Sequence, residues 1–240
     1  MPVGQRHGLY LILQKRFTEN RGGANQKVIC EEFLMAVELK ETIDKRREEI
    51  MDACEKLYDS KGFQSITIKD ISTETSFSRP SIYNYFQTKE EIFLGILTRE
   101  YLKWNESLKD IIEGNKKLDS DGLSKAIARS MEDRKTLLKI SAMNLYEIED
   151  NSRVELLIEY KDAFKKSVEL FEECLSKYIK GIDKDKCEQV RYAFFPYMYG
   201  IYPYVYPTDK QIEAMKEVKL SYSKTSIYDL TYRFLKLVLS

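Results

Sequence analysis

Between Ser76 and Glu91 the chain reads SFSRPSIYNYFQTKEE, a segment carrying the residue types that bond nucleic acid. Arg79 and Asn84 can hydrogen-bond base edges, while the hydroxyls of Ser81, Tyr83 and Tyr85 and the ammonium of Lys89 suit phosphate oxygens. From Thr75 to Lys89 there are two positive charges and no carboxylate, and the first acid is Glu90. The chain as a whole has 39 basic and 39 acidic residues and no formal net charge. A polyanion would therefore be met by local placement and not by global attraction. Four aromatic rings fall within the ten positions from Phe77 to Phe86. Phe77 and Phe86 are expected to fill a core, and Tyr83 and Tyr85 to lie against phosphate, with packing inside as the alternative for the two tyrosines.

Other chemistries lack their residues. The sole histidine is His7, and the four cysteines (Cys30, Cys54, Cys174, Cys187) are scattered without a C-x-x-C pair, so a zinc site has too few ligands. There is no glycine-rich phosphate loop and no nucleophile elbow, and the acid-rich YEIEDNSRVE (146–155) reads as a helix end and a solvated loop. No enzyme activity, metal or cofactor is expected. Reduced thiols fit a cytoplasmic protein. The apolar run GLYLIL is far too short to span a membrane, so no membrane partner is expected.

The elements that must position the segment are legible as helices. From Thr42, apolar residues recur at three- and four-residue spacing through Tyr58, and Lys61-Gly62 is a stop. Thr67 followed by Asp70 has the form of an N-cap with an acid three residues on. Ser78-Arg79-Pro80 starts another helix, because first-turn amides have no acceptor to lose to proline. Thr88-Lys89-Glu90-Glu91 is a capping box leading into a long helix. Two short helices of about two turns, joined by a four-residue turn at 75 to 78, have the layout of a helix-turn-helix DNA reader. Ile66, Ile71, Phe77, Ile82 and Phe86 fall at spacings that turn them inward.

Residues 43 to 95 resemble the DNA-binding domain of the TetR (tetracycline-repressor) family of bacterial transcription regulators. The match lies in IDKRREEIMDACEKLYDSKGF, then SITIKDISTETSFS, then RPSIYNYFQTKEEIF. The resemblance implies that Thr67 and Lys69 hold phosphates, that Ser78 caps the second short helix, and that Arg79, Ser81 and Asn84 face the major groove. It further implies that Tyr83, Tyr85 and Lys89 grip the flanking backbone. Two positions depart from the family pattern. Ser72 stands for a small alanine, and Ser76 for the turn glycine, where a left-handed residue costs serine more. The turn is expected to survive with slight strain.

Few glycines (ten) and prolines (five) in 240 residues favour an all-α fold. The expected organisation is a weakly ordered extension at 1–39, a three-helix helix-turn-helix domain at 40–88, and a helical effector-binding and dimerisation domain at 89–240. Met35 is an alternative start, since the preceding Glu31-Glu32 corresponds to purine-rich codons. Helices are expected at 89–114, 121–130, 132–148, 152–180, 184–201, 209–219 and 224–239. The uncharged run YAFFPYMYGIYPYVYP (192–207) has eight aromatics and three prolines. Pro196 should kink its helix and Pro203 should end it, leaving irregular space lined by rings. Phe195, Tyr199 and Tyr202, with Trp104 and Met143 from other helices, are candidates for an effector pocket; the same run could equally be a dimer interface or core. The last helix is apolar on two faces, which suggests a partner, and Tyr197, Tyr228, Tyr232, Leu235 and Leu239 are the candidate interface. The expected function is a homodimeric, ligand-responsive repressor of a palindromic double-stranded operator, with an unidentified small-molecule effector. An activator of the same family, or an adaptor with a degenerate reader, is the alternative.

Overall fold

The computed structural model describes residues 26–240, with side chains from Leu34 onward except Ala36. Residues 1–25, and the weak order expected of them, lie outside the described residues. The described chain is helical and forms two compact units. One comprises the residues up to Phe93 with Asn151–Glu155, the other Leu94–Asp150 with Leu156–Ser240.

The first unit is built on α1 (Gln26–Ser60), a 3-10 turn (Phe63–Ser65), α2 (Ile68–Thr73) and α3 (Arg79–Ile82). The boundary expected at residue 39 does not appear, because α1 runs unbroken through Met35. No glycine or proline interrupts it, and its weak periodicity has a simple cause. Leu34, Met35 and Leu39 are exposed, and among the described side chains of α1 the first buried one is Ile43. Gly62 takes an extended φ of −72° and caps the 3-10 turn, so the stop at the end of α1 does not use its left-handed freedom. Thr67 and Asp70 form the expected capping box on α2. The core of this unit is aliphatic around Ile50, Ile71 and Ile82, closed by Tyr58 and Phe63, each within 5.0 Å of the Phe93 ring.

The long helix α4 (Lys89–Gly114) starts in the first unit and continues into the second. There it is followed by α5 (Ser120–Glu132), α6 (Lys135–Asp150), α7 (Val154–Tyr178), α8 (Lys184–Val205), α9 (Asp209–Glu217) and α10 (Ile227–Val238). Side chains cap these helices where the sequence breaks: Asp119, Asp183, Thr208 and Ser226 each accept an amide of the first turn. Gly181, at φ +74°, makes the turn after α7. Contrary to expectation, Pro203 does not end α8, which holds both Pro196 and Pro203 and continues to Val205. The surrounding ring packing outweighs the lost backbone bonds: Phe194 and Phe195 anchor α8 among Trp104, Phe164 and Phe171.

Candidate nucleic-acid interface

The reading segment is positioned by a short hydrophobic lever. Ile82 and Phe86 are fully buried, and Arg47 lies over the Phe86 ring at 5.4 Å. With that stripe fixed, Arg79, Asn84 and Tyr83 are exposed and Ser81 is half-buried. The Arg79 guanidinium sits 5.7 Å from the Tyr83 ring and donates to its hydroxyl at 3.1 Å, so the two side chains support one another along one face. The hydroxyls of Ser78 and Ser81 are bonded at 2.8 Å. Thr67 and Lys69 are exposed on α2. The Thr67 hydroxyl is engaged with the Asp70 carboxylate at 2.6 Å, which together with the Thr67 amide pulls the Asp70 pKa below its usual value.

Two expected phosphate contacts are placed differently. Tyr85 is buried, its hydroxyl accepts from Arg46 at 2.9 Å, and its ring lies 6.3 Å from Phe77. Phe77, expected inside, is only half-buried, with Arg46 over its ring at 6.0 Å. The physical reason is visible in the spacing: 82, 85 and 86 are i, i+3 and i+4, one face of a helical turn, whereas 83 points away. Lys89 donates to the Phe63 carbonyl at 3.0 Å and lies 4.3 Å from that ring, so its ammonium is turned into the unit's own backbone. The second short helix is also shorter than expected: α3 is a single turn followed by hydrogen-bonded turns through Phe86.

The interhelical turn needs no left-handed serine. Among the described residues other than glycine, only Lys219 has a positive φ. The Ser76 amide instead donates to Glu49 at 2.6 Å, which lowers the Glu49 pKa, and the Phe77 amide donates to the Thr75 hydroxyl at 3.3 Å. The expected strain is absent because the turn is held by side chains of α1 and of the turn itself.

Sequence reasoning passed over the pair that closes the unit. The Glu91 carboxylate is 1% exposed and accepts from Arg153 Nε at 2.6 Å, from Arg153 Nη2 at 2.9 Å and from the amides of Gln87 (2.6 Å) and Arg153 (3.2 Å). The Arg153 guanidinium also reaches the Tyr85 carbonyl at 3.3 Å, and the Thr88 hydroxyl donates to the Asn151 carbonyl at 3.1 Å. The segment expected as a solvated loop thus belongs to the reading unit. The Thr88 capping box is accordingly half-formed. Thr88 accepts the Glu91 amide, but the carboxylate bonds Gln87 instead of the Thr88 amide.

In the second unit the candidate effector residues divide. Trp104 and Phe195 are buried, 6.1 Å apart, with the Trp104 indole donating to Ser130 at 3.0 Å. Tyr199 and Tyr202 are half-buried. Met143 is 60% exposed and lines no interior. The interface candidates divide as well. Leu235 and Leu239 are buried in the unit's own interior, where α10 packs on α5. The Tyr232 hydroxyl donates to Asp121 at 2.7 Å, with Tyr228 stacked 6.1 Å away. Tyr197 stacks on Phe234 at 4.1 Å. The buried stripe of α10 is therefore Ile227, Thr231, Leu235 and Leu239. The stripe left available is Leu230, Phe234, Leu237 and Val238, with Leu237 75% exposed.

A three-helix unit that holds a short helix with an acid-free, hydrogen-bonding outer face is a helix-turn-helix DNA-binding module. Two family descriptions match the chain: "Bacterial regulatory proteins, tetR family" over residues 50–96 and "Tetracyclin repressor-like, C-terminal domain" over residues 98–239. The chain belongs to the tetR family and is a DNA-binding transcriptional regulator, not an enzyme. It is 28% identical over 159 residues to the uncharacterized HTH-type transcriptional regulator YfiR of Bacillus subtilis, covering 63% of this chain and 73% of YfiR. A TetR/AcrR-family regulator of Thermobifida fusca superposes with a TM-score of 0.57 at 17% identity, over 82% of this chain and 97% of that one. FadR of Bacillus subtilis, solved with stearoyl-CoA, superposes with a TM-score of 0.50 at 15% identity, over 80% and 97% of the two chains. These two likenesses establish the fold. Among the described residues no helix is long and apolar enough to cross a membrane.

Proposed function

We propose that the chain is a cytoplasmic, homodimeric repressor that reads a palindromic operator and leaves it when a small molecule binds the second unit. The observation that carries the DNA half is the outward placement of Arg79, Tyr83 and Asn84 on a segment without carboxylates. Arg79 and Asn84, with Ser81, are assigned to base edges in the major groove. Thr67, Lys69, Ser78 and Tyr83 are assigned to phosphates. Tyr85 takes a supporting role, holding the reading helix through Arg46, and Lys89 reaches DNA only by leaving Phe63. A shallow groove of about 700 Å³ along α1 is lined by Glu41, Asp44, Glu48, Glu49, Asp52 and Glu74, among others, and its charge repels phosphate.

Dimerisation is assigned to the available stripe of α10, because an exposed leucine flanked by half-buried apolar residues is what a helical interface leaves on a separated protomer. A two-fold axis would set two reading helices about 34–36 Å apart, one turn of B-DNA. Release follows if the effector favours a conformer in which that spacing is lost.

The test is a gel shift at low salt with DNA from the protein's own promoter region. The native chain should retard it. Asn84→Ala should relax sequence preference, at a cost of about 1–3 kcal/mol on the preferred site. Lys69→Ala should weaken all sequences and reduce the salt slope by about 1. Leu237→Glu should sediment as a monomer. Failure to shift any such fragment would sink the reading, and stimulation of a reporter in place of repression would transfer it to an activator.

A further inference from the structure

The cations of the reading unit are held in two ways. Lys56 pairs with Glu74 at 2.6 Å, Lys61 with Asp70 at 3.3 Å and Arg153 with Glu91 at 2.6 Å, so a carboxylate offsets each of these charges. Arg79 is held instead by a neutral group, the Tyr83 hydroxyl, and lies over that residue's ring. Arg46, exposed on α1, repeats this arrangement between distant parts of the chain. Its Nη1 donates to the Tyr85 hydroxyl at 2.9 Å, and its guanidinium lies 6.0 Å from the centre of the Phe77 ring. Among the described residues no carboxylate pairs with Arg46, and the bond to Tyr85 raises its pKa.

A neutral tether orients an arginine without cancelling its charge. A guanidinium carries five N–H donors, and the Tyr85 oxygen engages one of them, leaving the rest of the fork and the whole positive charge for another partner. The tether and the Phe77 ring also restrict a side chain whose rotamer freedom is worth about 2 kcal/mol, so binding an anion has less freedom left to remove. The placement fits a nucleic-acid backbone. Phe77 precedes the reading helix and Tyr85 follows it, so Arg46 stands where α1 meets the segment that carries Arg79 and Asn84. A recognition helix lying in the major groove brings the elements packed beside it to the phosphates that border the groove. The acids of α1 occupy another stripe. Glu41, Asp44, Glu48 and Asp52 recur at three- and four-residue spacing along the acidic groove, and Arg46 is not part of its lining. With Lys89 turned onto Phe63, the reading segment keeps only Arg79 as an outward cation, and Arg46 supplies a second beside it.

We propose that Arg46 is a DNA-phosphate contact contributed by α1, with Tyr85 and Phe77 positioning its guanidinium. Tyr85 thus acts on DNA through Arg46 and not through its own hydroxyl. The assignment rests on the DNA-reading role of residues 76–86 given above and extends that surface to the helix behind it.

The experiment measures the affinity of the full-length protein for two labelled duplexes, a fragment of its own promoter region and an unrelated duplex of equal length. Fluorescence anisotropy follows binding from about 0.05 to 0.3 M salt. Arg46→Gln should weaken both duplexes alike, by roughly five- to tenfold per bound chain at about 0.1 M salt, and reduce the salt slope by about 1 per bound chain. Lys45→Gln removes the same charge one residue away, on the acidic groove, and should leave the slope unchanged. Arg46→Lys keeps the charge without the planar fork, and Tyr85→Phe keeps it without the tether. Both should retain the slope and lose only about two- to threefold in affinity. Melting temperature reports whether each variant is folded. Should Arg46→Gln alone unfold, Arg46→Gln/Tyr85→Phe removes both partners of the bond and should show the same reduced slope.

An arginine that merely props Tyr85 gives a different pattern. Arg46→Gln, Arg46→Lys and Tyr85→Phe would then weaken binding in step with melting temperature, and none would change the slope. That pattern overturns the contact, and so does an equal change of slope in Lys45→Gln. Native protein that binds neither duplex at low salt removes the DNA-reading assignment and Arg46 with it. Native binding with an unchanged slope in Arg46→Gln removes Arg46 alone.

Discussion

The two units of this protein use side chains in opposite ways. In the reading unit the functional groups point outward from a small aliphatic core, and hydrogen bonds hold the backbone beneath them: Ser76 to Glu49, Gln87 to Glu91, Tyr85 to Arg46. In the second unit a set of aromatic rings points inward and forms a continuous cluster from Tyr160 through Tyr101 and Trp104 to Phe194, Tyr197 and Phe234, while Tyr146, Tyr192 and Tyr204 stay exposed. The reader's function therefore depends on which polar groups stay outside. The second unit instead depends on how those rings pack against one another inside.

The largest effect that would break this contrast is a ring truncation. Phe194 is fully buried, stacked on Phe171 at 4.5 Å and facing Trp104 at 6.1 Å. Phe194→Ala should cost about 3–5 kcal/mol of stability by denaturant unfolding, as transfer and cavity terms add. Asn84→Ala in the reader, being exposed, should stay within about 0.5 kcal/mol. Similar losses for both would mean that the units are not built on different principles.

Next in size is the pair inside the reading unit. Arg153→Ala leaves the Glu91 carboxylate buried with backbone amides but no counter-charge. Breaking a fully buried pair costs roughly 3–5 kcal/mol, and the partial exposure of Arg153, at 33%, brings the expected loss to about 2 kcal/mol. Hydrogen exchange should localise it, with the Gln87 amide losing protection first. Unchanged protection there would show that the backbone amides alone hold the carboxylate.

The contrast also explains what was legible in the sequence. The tetR-type reader was readable because caps, proline placement and inward spacing are local constraints: Thr67–Asp70, Pro80 and the stripe Ile82–Phe86 each act within a few residues. The same spacing, applied to position 85, already assigns Tyr85 to the inside. The Glu91–Arg153 pair was not readable, since its partners are 62 residues apart and nothing local marks either. In the second unit the helices were legible and the ring packing was not. A buried Tyr101 and a buried Phe171 look alike in an apolar stripe, and only their tertiary neighbours separate them: Tyr101 meets Tyr160 from another helix, whereas Phe171 stacks on Phe194. Pro203 misled for a related reason, since the packing that keeps α8 going is tertiary.

A smaller test concerns the reader's turn. Were Ser76 in a left-handed conformation, Ser76→Gly would relieve strain and stabilise the protein. Because Ser76 does not have a positive φ and its amide is already bonded to Glu49, glycine only enlarges the freedom of the unfolded chain. A loss of about 0.5 kcal/mol is expected by denaturant unfolding. A gain would restore the left-handed turn.

The smallest expected effect sharpens the comparison at the surface of the second unit, where the carboxylate network is exposed, unlike Glu91. Lys125, then the Tyr232 hydroxyl and Lys236, hold the Asp121 pKa down to about 2. A depressed carboxylate contributes stability that is fully present above its unfolded pKa, about 4, and is lost as pH falls toward the folded value. The melting-temperature difference between the native chain and Asp121→Asn should therefore be constant from neutral pH to about pH 5 and vanish as pH approaches 2. Because these groups face water, about 0.5 M salt should shrink the difference at neutral pH, whereas the loss in Arg153→Ala should persist. If salt reduced both alike, Glu91–Arg153 would behave as a surface pair, and the distinction between a reader locked from within and a helical unit trimmed by surface charge would fall.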